Sequence, residues 1–183
     1  FKATAVHILV ENIGYSSDVD YLKKFSEQNG IPFLIRTISY ENKPENKKPE
    51  CFLCSWYRRK ALFSVAKELH CNKIALGHHL DDTIETILMN LIFQGAFAGM
   101  PPKLSMDKFD MTIIRPLSYI SEKEVIELQR IMKFKPQIKN CPFEKNTSRS
   151  KVKELIRQFE LLNPQVRESI RKASENIKVD YLP

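Results

Sequence analysis

Short apolar runs alternate with amphipathic segments through the first half of this 183-residue chain. The runs Thr4–Val10 and Ile31–Tyr40 are rich in β-branched residues, which is typical of buried strands. Between them, apolar residues recur at helical spacing up to a glycine stop at Gly30. A strand, a helix and a strand within this length predict a βαβ unit and therefore a parallel sheet.

The alternation continues to about Phe93. A polar loop over 41–50 leads to a helical pattern over Trp56–His70, and a short apolar strand follows at Asn72–Leu76. The six residues GHHLDD, 77–82, come next and open another amphipathic helix. The first half of the chain therefore predicts an α/β fold built from βα units.

Beyond Gly95 the pattern is looser. A Gly/Pro loop is followed by a predicted strand that ends at Pro116, and a capping box of Ser121 and Glu124 opens a helix. A basic loop and two helices complete the chain, and Asn163–Pro164 predicts the start of the last helix.

We expect two parts, an α/β domain over 1–118 and a helical part over 119–183 that carries Cys141. This length fits one core with a small appendage, and 43% hydrophobic content is ordinary for a globular protein. No apolar run reaches the length of a membrane span and no signal peptide is visible, so the cytoplasm is the expected location.

The chain is basic, with a formal net charge of +7 at pH 7. Basic surfaces attract polyanions, and phosphate contacts supply most of the sequence-independent affinity for nucleic acid. The charge therefore favours a nucleic-acid partner. A solvated surface with a surplus of lysine is the alternative.

The GHHLDD segment packs four titratable side chains behind Gly77, which is expected to give the backbone a tight turn. Open α/β sheets bind ligands at the strand end where this segment lies. Asp81 and Asp82 can hold Mg²⁺ on a nucleotide, and His78 and His79 can donate to phosphate or act in acid–base catalysis. Helix capping at the N-cap and first turn is the alternative, although it accounts for one aspartate better than for two.

The four cysteines are too few for a secreted disulfide scaffold. Cys51 and Cys54 form a C-x-x-C pair, and Cys141 precedes Pro142, as cysteines at iron–sulfur clusters do. Three thiolates on a [4Fe–4S] cluster leave one iron open to bind a sulfur atom. A zinc site, a redox dithiol and unrelated thiols remain alternatives. Cys71 is expected to be a small core residue.

Three consecutive cations, Arg58, Arg59 and Lys60, follow the C-x-x-C pair and are placed in the first turns of a helix. Cations are mildly unfavourable there, which favours phosphate binding over a purely structural use. A solvated basic face is the alternative. Trp56 and Tyr57 can stack on a base or pack into the core.

These motifs together resemble one family. The segments that carry the resemblance are CFLCSWYRR, KIALGHHLDDTIETILMN, MPPKL, IIRPL and the later Cys141. They resemble the tRNA 2-thiocytidine synthetase family of the PP-loop N-type ATP pyrophosphatase superfamily, over nearly the whole chain. GHHLDD is shared with relatives such as tRNA lysidine synthetase, so the three cysteines and the paired arginines are the more specific signal.

The resemblance implies a Rossmann-like parallel sheet of the adenine nucleotide alpha hydrolase type, with helices on both faces and further helices at the C-terminus. It also implies an ATP-dependent enzyme that adenylates the C2 carbonyl of a cytidine in the tRNA anticodon loop and releases pyrophosphate. Sulfur carried on the cluster then displaces AMP.

Residue by residue, the resemblance implies that Cys51, Cys54 and Cys141 hold the [4Fe–4S] cluster. Arg58 and Arg59, with Lys60 beside them, are expected to meet tRNA or phosphate. The sulfur donor stays open between a cysteine desulfurase and free sulfide, and a homodimer is one open oligomeric state.

The nucleotide half of the site is implied in the same way. ATP and Mg²⁺ are expected beside His78, His79, Asp81 and Asp82, and Gly77 and Asp82 are the expected cofactor-binding residues.

One departure concerns the phosphate loop. The Ser-Gly-Gly-x-Asp-Ser loop of the superfamily, whose backbone N–H groups cradle pyrophosphate, is absent from this sequence. Phe1–Val10 corresponds to the strand after that loop and its helix, so we expect an N-terminally truncated chain that is inactive by itself. A natural variant that no longer uses ATP is the competing explanation.

Other functions remain open on the sequence. Within the same superfamily they are 2-thiouridine or lysidine formation. Outside it they are a zinc-stabilised, non-catalytic nucleic-acid-binding domain and a purely structural α/β domain with free thiols.

Overall fold

A computed structural model describes residues 1–11, 13, 17–41, 49–137, 141 and 147–181. Strands and helices alternate over its first half. The order is β1 (Ala5–Val10), α1 (Val19–Gln28), β2 (Phe33–Ile38), α2 (Glu50–Glu68), β3 (Lys73–Ala75) and α3 (Leu80–Gln94). The second half contains β4 (Lys103–Met106), β5 (Met111–Ile114), α4 (Glu122–Ile131), α5 (Ser148–Leu162) and α6 (Val166–Ala173). Short 3₁₀ helices lie at Asp107–Phe109 and Val179–Tyr181. The predicted α/β class is confirmed.

The chain divides into two compact units. Unit 1 comprises residues 1–74 and 133–145, and unit 2 comprises residues 75–132 and 146–183. These units are interleaved along the chain. The predicted division into domains after residue 118 stays a prediction.

Unit 1 is built on the parallel pair β1–β2, whose register runs from Ala5 opposite Phe33 to Val10 opposite Ile38. Helix α2 packs against both strands. Its Leu53 joins a buried cluster whose other members come from the strand ends and the loops after them, and these are Val10, Ile13 and Tyr40. The βαβ prediction for this region is confirmed.

Helix α2 begins at Glu50, with Pro49 as its N-cap, and not at Trp56 as the sequence pattern predicted. The predicted loop before it is correspondingly shorter, and 42–48 lies outside the described residues. The helix as a whole has little amphipathic contrast, so apolar periodicity was a weak guide to where it begins. The sequence signals for this start were Pro49 at the N-cap and the acidic Glu50 at the first helical position.

A second sheet has the order β3-β5-β4, and its strands β4 and β5 belong to unit 2. Strand β4 pairs with β5 in antiparallel fashion, with Lys103 opposite Ile114. Sequence reasoning missed β4, because an exposed edge strand next to prolines reads as a loop. Helices α3, α5 and α6 pack around a second core whose fully buried members are Ile84, Val152 and Ile156.

Two helix boundaries in unit 2 test the capping predictions. The capping box of Ser121 and Glu124 at the start of α4 is confirmed. The last helix, however, has Gln165 as its N-cap, so its predicted start at Asn163–Pro164 is wrong. Asn163 instead ends α5, and its side-chain Oδ1 accepts a hydrogen bond from the backbone N–H of Gln165 at 2.9 Å. The helix starts two residues later than Asn163–Pro164 predicted.

Candidate functional site

The C-x-x-C pair lies inside a helix. Cys51 and Cys54 are the second and fifth residues of α2, so they are three residues apart on one side of its N-terminal turns. The backbone N–H groups at a helix N-terminus favour negative charge nearby. The helix dipole therefore acts in favour of the thiolate form, which is the form that binds metals, and the burial of Cys54 opposes it.

All three predicted cluster cysteines belong to unit 1. Burial raises the pKa of the Cys54 thiol, and the charge of Arg58 opposes that rise. The charges of Cys141 and Cys51 raise the pKa further. Cys54 is therefore close enough to both other thiols for their charges to interact, although Pro142 and the remainder of the loop at 142–146 lie outside the described residues.

The three thiols fit an iron–sulfur cluster in their chemical type and in their location within one compact unit. Thiolates are the ordinary ligands of such clusters, and three of them with mutually repelling charges gain from a shared cation. Within the described residues, no three His, Cys, Asp or Glu side chains are already arranged to hold a single metal ion. The four cysteines are all free thiols.

Cys71 belongs to a different environment. It follows the end of α2 at Glu68, and its thiol makes a long contact of 3.8 Å with the backbone carbonyl of Leu69. The side chain is only partly buried, so the expectation of a core residue is wrong.

Tyr57 and Tyr40 support the start of α2 from the core side. Their rings stack with centroids 4.9 Å apart and planes 8° apart, and Tyr57 packs against the buried cluster that contains Leu53. The Tyr40 hydroxyl donates to Oε2 of Glu50 at 3.0 Å. Burial, and then this hydrogen bond, raise the pKa of Tyr40. Of the two alternatives for Tyr57, core packing is the one observed.

The three cations do not lie in the first turns of α2. Because the helix begins at Glu50, Arg58 is in its third turn, and the dipole argument for phosphate binding is wrong. The charge of Arg58 lowers the pKa of the Cys54 thiol, against the larger effect of burial. The same charge lowers the pKa of His7, where burial has the larger effect. Lys60 lies on another side, with Nζ 5.4 Å from the centroid of the Trp56 ring.

His79, and not an aspartate, is the N-cap of α3. Its Nδ1 accepts from the backbone N–H of Asp82 at 3.4 Å, and its own backbone N–H donates to Oδ2 of Asp82 at 3.0 Å. The ring and the carboxylate thus form a reciprocal capping box. Helix capping alone accounts for these contacts of His79 and Asp82, and they require no ligand.

Asp81 ties α3 to the helices that follow. Its side chain is 7% exposed, its Oδ2 accepts from the backbone N–H of Glu122 at 2.6 Å, and its Oδ1 pairs with Arg167 of α6. The side chain therefore caps the start of α4 and neutralises a cation from α6.

Asp82 is more accessible than Asp81, with 21% of its side chain exposed. Its Oδ1 accepts from Nη1 of Arg149 at 2.9 Å, and the same nitrogen lies 3.4 Å from Oε2 of Glu85. Glu85 is buried, and burial raises its pKa against the opposing charges of Arg149 and Lys153. Asp82 is therefore the aspartate of this pair that a ligand can reach.

Gly77 does not make the tight turn that the sequence suggested. Its φ lies outside the left-handed region, and a Cβ built on it meets no atom within 4 Å. No contact in the described structure requires a glycine there. The expected conformational reason for Gly77 is wrong, and the space beside its Cα is open.

Sequence reasoning missed the cations that pair with the aspartates. Arg149 and Arg167 lie 67 and 86 residues from their partners Asp82 and Asp81. Nothing local to GHHLDD points to them.

Among the described residues, no helix has the combination of length and apolarity that crossing a membrane requires. The cytoplasmic location stays a prediction.

Comparison with known proteins gives a consistent result. The family model described as the PP-loop domain matches residues 3–162. The tRNA-cytidine(32) 2-sulfurtransferase of Ralstonia nicotianae is 38% identical over 190 residues, covering 100% of this chain and 59% of that protein. The protein of the same name from Geobacter sulfurreducens is 36% identical over 189 residues, covering 100% of this chain and 72% of that protein.

A solved structure agrees with these relatives. The U34-tRNA thiolase NcsA from Methanococcus maripaludis, solved with its [4Fe-4S] cluster, matches with a TM-score of 0.71 and 26% sequence identity. The match covers 98% of this chain and 63% of that one. The chain thus spans about three fifths of the Ralstonia relative and of the solved thiolase.

Proposed function

We propose that this chain works in ATP-dependent tRNA thiolation. The premise is that it belongs to the PP-loop family and, within it, to the tRNA-cytidine(32) 2-sulfurtransferases. The proposed product is 2-thiocytidine in the anticodon loop. The observation that carries the proposal is the placement of Cys51 and Cys54 on one side of the first turns of α2, in the same compact unit as Cys141.

The three cysteines are the proposed ligands of a [4Fe–4S] cluster. When bound, such a cluster with three protein ligands supplies an iron that can carry the sulfur to be transferred. The chain's own contribution is to hold two of the thiols on α2 and to place the positive charge of Arg58 beside Cys54. That charge favours the thiolate form, which is required for binding.

The strand end at Gly77 is the proposed nucleotide side. Space for a ligand is open at Gly77, and Asp82 is partly exposed, so Mg²⁺ on ATP can compete with Arg149 for its carboxylate. Asp81 is given a positioning role here, because its oxygens are already bound by α4 and α6. The proposed roles of His78 and His79 are hydrogen bonding to phosphate and, for His79, holding the first turn of α3.

A cysteine series tests the thiol half of the proposal. Cys51→Ser, Cys54→Ser and Cys141→Ser should each lower the iron and sulfide content after anaerobic reconstitution, together with the visible absorption of the cluster. Cys71→Ser is the matched control and should retain both, because its thiol lies apart in the turn after α2.

Two results would overturn this half. One is a full complement of iron and sulfide in all three variants. The other is stoichiometric zinc in anaerobically isolated protein, which would favour a structural metal site.

Nucleoside analysis of tRNA tests the reaction itself. Deletion of the gene should remove 2-thiocytidine, and restoring the longest reading frame that contains this chain should return it. Loss of a thiouridine instead would reassign the substrate base. The proposal also includes adenylation of the base, a sulfur donor that is a cysteine desulfurase or free sulfide, and a homodimer as one possible assembly.

A further inference from the structure

Helix α2 presents an aromatic and cationic face that the thiol site does not use. Phe52, Trp56, Arg59 and Lys60 lie at spacings of four, seven and eight residues, which place them along one side of the helix. Phe52 and Trp56 are each 48% exposed. We call these four residues the aromatic face of α2.

This side is distinct from the side of α2 that faces the core. Leu53 and Tyr57 belong to the buried cluster, and the Tyr57 ring is covered by Tyr40. Trp56 instead touches Tyr57 edge-on, with centroids 4.9 Å apart, and holds the ammonium of Lys60 over its ring. Its ring is thus fixed by two neighbours while half of its surface remains exposed to solvent.

The charge of this region selects the kind of ligand. Between Glu50 and Glu68, helix α2 contains no acidic residue. Unit 1 has 16 Lys and Arg against 9 Asp and Glu, a net charge of +7, whereas unit 2 has 13 of each. The whole net charge of the chain therefore lies in the unit that contains the aromatic face.

We infer that the aromatic face of α2 binds an unpaired nucleobase of an RNA strand, which stacks on Trp56 while Arg59 and Lys60 contact the flanking phosphates. An RNA strand combines flat rings with negative charge, so it uses both properties of the face. An acidic peptide uses the cations but not the exposed ring. The inference rests on the proposed function, because it names how the RNA substrate is held.

The location is relevant to thiolation. Trp56 is five residues after Cys51 on the same helix, about 7.5 Å along its axis. Trp56 also lies about 140° around the helix from Cys51, so a base stacked there is held within two turns of the thiols but on a different side of α2. Base–aromatic stacking tolerates different bases, so it positions a loop without reading its sequence.

Trp56 is the only tryptophan in the chain, so its fluorescence reports on the proposed contact directly. The full chain is titrated with three RNAs, which are a stem with an unpaired loop, the same stem with an abasic loop, and a blunt duplex of equal charge. The unpaired loop should quench the fluorescence. The abasic loop and the duplex should bind more weakly and leave it unquenched.

Variants separate stacking from charge. Trp56→Ala should weaken binding of the unpaired loop by roughly tenfold or more and leave duplex binding unchanged. Trp56→Phe should retain most of the affinity. Lys60→Ala should weaken binding of all three RNAs and reduce the salt dependence. Phe109→Ala, which removes an exposed aromatic ring from unit 2, is the matched control and should change nothing.

The outcomes distinguish the two proposals. Unchanged loop affinity in a folded Trp56→Ala chain, or equal quenching by the abasic loop, overturns the stacking inference and leaves the proposed function standing. Failure of the unaltered chain to bind any of the RNAs overturns both. Quenching by an acidic peptide but not by RNA would assign the face to a protein partner.

Discussion

Asp81 and Arg167 form an ion pair that joins the first turn of α3 to α6, between residues 86 positions apart in the chain. The aspartate is almost fully buried and also accepts the backbone N–H of Glu122. One carboxylate thus connects three helices of unit 2. Asp81, which the sequence marked as a candidate catalytic residue, therefore has a structural function in unit 2.

Asp81→Asn should lower the free energy of unfolding by about 2–4 kcal/mol, because it leaves the Arg167 charge without its buried partner. Urea denaturation measures the effect. Glu154→Gln, which breaks the exposed pair with Arg157, is the control and should cost less than about 1 kcal/mol. A double-mutant cycle with Arg167→Gln should recover a coupling energy of about 1–3 kcal/mol. Additive effects would contradict the direct pairing.

Glu85 should give unit 2 a pH dependence of unusual sign for a carboxylate. Burial raises its pKa above the ordinary value of 4.5. The folded chain then keeps a proton that the unfolded chain has lost, so the contribution of Glu85 to stability falls as pH rises from the unfolded pKa through the folded one. Paired acids such as Glu122, whose pKa the Lys153 hydrogen bond lowers, act in the opposite direction.

The difference in unfolding free energy between the unaltered chain and Glu85→Gln isolates this contribution. That difference should decrease as pH rises above about 4.5, and level off once Glu85 is ionised in the folded state. A difference that stays constant over this range, or that increases, would show that burial does not govern the titration of Glu85.

Two glycines form a matched pair. A Cβ on Gly99 would lie 2.9 Å from Cγ1 of Ile87 and 3.3 Å from Cγ2 of Thr83, on a helix face that cannot yield because Ile87 is buried. Gly99→Ala should cost about 1–3 kcal/mol in thermal unfolding. Gly77→Ala should change stability by less than about 0.5 kcal/mol, because its Cβ enters open space. Equal effects of the two substitutions would contradict this packing.

Tyr40→Phe tests the support of the α2 start. The variant keeps the ring that stacks on Tyr57 and removes the hydroxyl that donates to Glu50, so it should cost about 1 kcal/mol in urea denaturation. Tyr40→Ala removes the ring as well and should cost about 3–5 kcal/mol. Tyr181→Phe alters a fully exposed ring and should be neutral. Equal costs for Tyr40→Phe and Tyr40→Ala would show that stacking contributes nothing.

The sequence predicted those parts of the site that depend on neighbours in the chain. The C-x-x-C pair, the strand before Gly77 and the capping box of Ser121 are local patterns, and each is a matter of spacing within a few residues. The α/β class was predicted from local patterns in the same way. Periodicity and caps indicate the helices and strands, and their βα alternation leaves few ways to arrange the strands in a sheet.

Long-range partners could not be predicted in this way. Which arginine reaches Asp81 depends on how α6 packs against α3, and no spacing rule connects positions 86 residues apart. The start of α2 at Glu50 was missed because the apolar residues of its first turns lie on more than one side of the helix and form no single stripe. That error misplaced the cations relative to the helix end. With the helix starting at Glu50, Arg58 lies beside the thiols and Lys60 lies beside Trp56.

Two cysteines on a loop must be ordered by whatever binds them, whereas Cys51 and Cys54 are ordered by α2 itself. The helix is held by packing of Leu53, Val65 and Ala66, which requires no bound group. Loss of the proposed cluster should therefore leave the backbone in place, with the entropy of ordering these two ligands already compensated by folding. The helix that carries two of the three proposed ligands should therefore not have to refold when the cluster is lost to oxidation and rebuilt.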